Sequence, residues 1–97
     1  MKLSLYLQSL SDPQPPGGAA PLLTALWYDA HGDWDRAHRI TQDAAGRDAC
    51  AVHAYLHRKE GDLANADYWY QRAGSNRPDS ALSTEWRELV EQLAERM

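Results

Sequence analysis

The chain has 97 residues, enough for one small domain, and its aliphatic choices are helical: fifteen Ala and twelve Leu against one Ile and two Val. Strands favour β-branched and aromatic side chains whereas helices favour Ala and Leu, so a sheet-based fold is excluded and an all-α fold expected. Ten Lys and Arg against fourteen Asp and Glu leave a net charge of −4, the wrong sign for a general nucleic-acid partner, and no apolar run approaches the ~18 residues of a membrane span. A chain this short buries only about 60–65% of its unfolded surface, so every apolar segment should be needed for the core. The single cysteine, Cys50, cannot form an internal disulfide and fits a reducing, cytoplasmic setting. The first ten residues lack a secretory hydrophobic region and read as mature protein.

Residues 1–20 form an N-terminal segment. Leu3, Tyr6, Leu7 and Leu10 fall on one helical face, and a stretch rich in Pro and Gly follows as a linker or wrapping arm. Residues 21–97 then read as one α-helical domain. Pro21 suits a first helical turn, and Leu22, Leu23, Leu26 and Trp27 mark a helix ended by Gly32. Asp33 caps a second helix expected to run to about Ala45. Gly46 closes it, and Asp48 is expected to cap a third helix carrying Val52, Tyr55 and Leu56. Gly61-Asp62 repeats the turn before a fourth helix with Leu63, Ala66, Tyr70 and Ala73. The turn has a physical basis: Gly accepts the left-handed conformation that ends a helix, and the following carboxylate accepts a backbone N–H of the next. A last helix, capped by Ser80 or Ser83, carries Leu82, Trp86, Leu89, Val90 and Leu93. Its other face is expected to present Glu85, Glu88, Glu91 and Glu95, as befits a docking or lid helix.

Gly32-Asp33-Trp34-Asp35-Arg36-Ala37 is repeated by Gly61-Asp62-Leu63-Ala64-Asn65-Ala66, 29 residues on. The second copy, with Lys59-Glu60-Gly61-Asp62, Ala66, Tyr70, Ala73 and Pro78, resembles a tetratricopeptide repeat. The likeness spans roughly residues 21–78. It implies two stacked helical hairpins with a C-terminal capping helix, and a non-enzymatic protein- or peptide-binding role as a small adaptor. The spacing is shorter than that family's about 34 residues, and Cys50, His53 and His57 stand where the family has large apolar or aromatic residues. The block from Ala25 to Ala73 is also similar to a group of short bacterial proteins, which implies a bacterial cytosolic source and no particular activity.

For such hairpins the resemblance implies a concave peptide-binding strip, here Asp29 from the first hairpin with Tyr55, Arg58 and Lys59 from the second. A mixed apolar and basic strip suits an acidic or C-terminal peptide. The bland reading of Arg58 and Lys59 is a solvated helix end, where cations meet the helix dipole. Tyr68-Trp69-Tyr70 spans too wide an arc for one core face. With Tyr70 inward, Trp69 is expected against the final helix or the N-terminal arm, or as an anchor for a partner. Two hairpins fall short of the three or so repeats a solenoid needs, so the chain ends, or a homodimer, should complete the core.

The alternative chemistry is metal binding. His53 and His57, at i and i+4, lie on one helical face, and Cys50 lies one turn earlier. His31 or Asp29 would have to supply a further donor. Against this stands the ordinary reading of two packed histidines and a buried thiol. No resident cofactor is indicated, and no catalytic residues emerge. Cys50 with His53 on one helix lacks attack geometry and an oxyanion hole, and Asp33 and Asp35 serve a helix start.

Overall fold

In the computed structural model, which describes residues 1–96, six α-helices follow in the order α1 Leu3–Gln8, α2 Pro21–Ala30, α3 Trp34–Gln42, α4 Arg47–Glu60, α5 Leu63–Arg72 and α6 Leu82–Glu95. A single 3-10 turn, Ser9–Ser11, extends α1, and there is no strand among the described residues. The fold is all-α, as the Ala- and Leu-rich composition requires. Among the described residues, no helix is long and apolar enough to cross a membrane.

The two Gly-Asp turns do what their chemistry dictates. Gly32 and Gly61 adopt φ of 82° and 92°, and Asp33 and Asp62 accept the backbone N–H of Arg36 and Asn65. Each turn folds its helices into a hairpin, α2 against α3 and α4 against α5, and α3 packs on α4 to join the two. The intervening turn differs from expectation. Helix α3 stops at Gln42, and Gly46 rather than Asp48 holds the N-cap position of α4. Asp48 sits in the first turn, where the helix dipole favours it, and pairs with Arg96.

Both chain ends complete the core. Tyr6, fully buried, donates its hydroxyl to the Leu23 carbonyl at 2.5 Å, while Leu3, Leu7 and Leu10 pack beside it and Leu5 faces solvent. The helical face expected of this segment is therefore the one that packs inward. Helix α6 lies across α2 and α4, burying Leu89, Val90 and Leu93, and the Trp86 indole donates to the Leu26 carbonyl at 3.0 Å. Its start has no side-chain cap, from Ser80, Ser83 or elsewhere. Glu85 does not belong to the outer face. It is 6% exposed and accepts Arg58 Nη1 at 2.8 Å and the Tyr70 hydroxyl at 2.6 Å. Burying a carboxylate is costly unless it is paired, and here both oxygens are satisfied.

Candidate metal centre

Helix α4 runs through the middle of the molecule and presents two polar faces. On the face toward α2 and α6, Tyr55 is 2% exposed and donates its hydroxyl to Asp29 Oδ2 at 2.8 Å. Lys59 Nζ reaches Asp29 Oδ1 at 3.0 Å, and Arg58 is held by Glu85 and by the Ser80 carbonyl. Asp29, Tyr55, Arg58 and Lys59 thus do come together, with α6 laid over the strip, and only Lys59 among them is exposed. Burial and the neighbouring Asp29 carboxylate push the Tyr55 phenol well above its usual range, so it remains a donor at any ordinary pH.

The opposite face of α4 looks into a groove between α3 and α5. His53 and His57 project there, 7% and 6% exposed, with stacked rings 4.8 Å apart. A third imidazole arrives from α3: His38, whose Nε2 lies 3.0 Å from Nε2 of His53. One nitrogen from each of the three lies within 4.8 Å of the others. Trp34 stacks on His38 and meets His57 edge-on, while Trp69 stacks on His53 at 4.0 Å. Two tryptophans, one per hairpin, therefore wall the cluster and fix its ring planes. The Trp34 indole is itself anchored on the Leu56 carbonyl at 2.7 Å.

The hydrogen bonds define which nitrogens are free. Two Nε2 atoms facing each other at 3.0 Å share one proton between two lone pairs. His57 Nδ1 meets Glu60 Oε1 at 2.9 Å, where it must be the donor. Its Nε2 lies 3.4 Å from the Asn65 side-chain amide. A carboxylate on the far nitrogen is the arrangement that orients a ligating histidine and raises its basicity. Burial, followed by the neighbouring His57 and His38, lowers the pKa of His53 to about 4. Burial and His57 also lower that of His38, against the opposing pull of Glu60 and Asp35. Both rings are neutral at pH 7 and keep their lone pairs available.

The ligands imagined from sequence are redistributed. His31 is not a donor to this group: it stacks on Trp27 and its nitrogens meet the carbonyls of Trp27 and Leu10, pinning the 3-10 turn to α2. Asp29 lies on the other face of α4. Cys50, half-buried, is not one of the grouped ligands and instead lines a hollow beside His53. Trp69 packs on neither the final helix nor the N-terminal arm but against His53, leaving Tyr68 exposed. His38 escaped the sequence reading because i, i+4 spacing finds partners on one helix, whereas this residue comes from the preceding hairpin. Its only local signal is Trp34 four residues earlier. Compared with known proteins, the chain matches no family model, no curated protein and no solved structure.

Proposed function

We propose that this protein binds a transition-metal ion, Zn²⁺ or another borderline divalent cation, through His38, His53 and His57. The supporting observation is the pair of facing Nε2 atoms 3.0 Å apart, with a ring nitrogen of His57 within 4.8 Å of the other two histidines. Zn–N bonds of about 2.0–2.1 Å in a tetrahedral site place ligand nitrogens roughly 3.3 Å apart, so a cation can replace the shared proton with little movement of these two rings. His57 closes the third side by a small side-chain rotation. An all-imidazole set suits Zn, Cu or Ni and disfavours Mg or Ca, which want oxygen. The exposed carboxylates of Glu60 and Asp62 beside His57 add a negative field at the mouth.

The test is calorimetric titration of untagged protein with Zn²⁺. One equivalent should bind to wild type, and His38→Ala and His53→Ala should each abolish saturation while His31→Ala leaves it intact. Equal binding by His38→Ala would remove the site.

A second reading, a non-enzymatic interaction module in a bacterial cytoplasm, rests on a separate observation. Between α6 and the buried strip, a mostly apolar hollow of about 290 Å³ is lined by Leu10, Ala30, Tyr55, Lys59, Leu82 and Trp86. An apolar side chain of a protein or peptide partner, with a carboxylate near Lys59, would fit it. Affinity capture with wild type and Lys59→Glu is the test. Identical prey would remove this surface.

A further inference from the structure

The three histidines leave a divalent ion one ligand short of the four that a closed tetrahedral site uses. Of the nearby acidic groups, Glu60 holds His57 Nδ1 and Asp62 caps α5, while Asp35, near His38, does not group with the three imidazoles. The missing ligand therefore has to come from Cys50 or from outside the chain.

The groove continues past His53 into a hollow of about 440 Å³. It is lined by Ala49 and Cys50 from α4, by Thr41 and Gln42 at the end of α3 with Ala44 and Ala45 after it, and by Trp69. At the rim stands Arg72, whose guanidinium lies 5.4 Å from the Trp69 ring centre and 5.5 Å from that of Tyr68. Arg72 forms no ion pair with any carboxylate among the described residues, and its Nη1 donates to the Tyr68 hydroxyl at 3.4 Å. A cavity lined by Trp69, alanine methyl groups and the polar Thr41 and Gln42, with the His53 imidazole on one side and a guanidinium free of carboxylates at the rim, has the chemistry of an anion site beside an apolar surface.

We infer that this hollow admits a small monocarboxylate with an apolar or aromatic body, which supplies the open coordination position on the metal and is attracted there by Arg72. The inference rests on the metal reading above and names the exogenous ligand of that site. The Trp69 ring and the methyl groups of Ala44, Ala45 and Ala49 give an apolar body a contact surface that inorganic phosphate cannot use. Small side chains at Ala44, Ala45, Gly46 and Ala49 keep the space open.

Co²⁺, whose visible spectrum reports coordination, provides the test. The Co²⁺-loaded protein is titrated with benzoate and, separately, with inorganic phosphate. Benzoate should change the Co²⁺ spectrum saturably and phosphate at the same concentrations should not. Arg72→Gln should weaken the benzoate response roughly tenfold with Co²⁺ affinity unchanged. Ala45→Leu, which narrows the hollow and leaves Arg72 in place, should weaken it as well. Three results would overturn the inference while the metal site stands: a spectrum indifferent to benzoate, an equal response to phosphate, or a thiolate charge-transfer band lost in Cys50→Ser, which would give the position to the chain's own sulfur. Failure of wild type to bind Co²⁺ at all would sink the metal reading and this inference with it.

Discussion

The two faces of α4 bury polar groups in opposite ways. Toward α2 and α6, each charge meets its complement within the chain: Asp29 has Tyr55 and Lys59, and Glu85 has Arg58 and Tyr70. Toward α3 and α5, three imidazoles meet one another, and among them His57 pairs with a carboxylate. A face whose donors and acceptors match is sealed, and its polar groups fix how α6 docks. A face where imidazole nitrogens converge without a charged partner for each is complementary to a cation. Burial alone therefore does not separate structure from site, but the balance of donors and acceptors does.

If that contrast is right, mutations on the two faces should have different readouts. Glu85→Ala leaves the Arg58 guanidinium and the Tyr70 hydroxyl without their buried partner, and should cost about 3 kcal/mol in urea denaturation while Zn²⁺ stoichiometry is unchanged. A loss of Zn²⁺ binding in a still-folded Glu85→Ala protein would erase the distinction between the faces.

Acid should expose the groove next. In an unfolded chain a histidine titrates near 6.5, whereas folded His53 does so only near about 4, and folded His38 is lowered too. The unfolded state thus binds more protons between these limits, so the contribution is complete above pH ~6.5 and is lost as pH falls toward 4. Denaturation midpoints measured from pH 7 to 4 should decline in wild type and decline less in His53→Leu. Parallel curves would show that the imidazoles do not govern the acid limb.

His38→Ala should cost only about 1 kcal/mol by the same denaturation assay, because the ring carries no ion pair and lies half-exposed, yet it should end Zn²⁺ saturation. Smallest is the Asp33→Ala change at the first hairpin turn, expected at somewhat under ~1 kcal/mol with no effect on metal. A cost above that of Glu85→Ala would mean the turn, not the sealed face, dominates stability.

Much of the scaffold is legible in the sequence because its causes are local. Gly-Asp turns, helical stripes and Ala-rich hairpin faces are read from neighbours a few residues apart, and the repeat at Gly32 and Gly61 fixes both hairpins. What escaped depends on packing between hairpins. Glu85 shares its helix with three exposed glutamates, and nothing local says that Arg58, 27 residues earlier, turns it inward. The direction of Trp69 and the arrival of His38 follow from how α3 and α5 flank α4, which no helical period encodes. The pair His53 and His57 was visible, and the residue that gives the pair its geometry was not.

The proposed metal site requires that the α3–α5 groove hold one cation with three imidazoles at once. Long-range ¹H–¹⁵N spectra of the histidine rings during Zn²⁺ titration test it most directly. His38, His53 and His57 should shift together and saturate at one equivalent, with His31 unmoved on its carbonyl partners. Shifts confined to His31, or none before gross excess of metal, would contradict it.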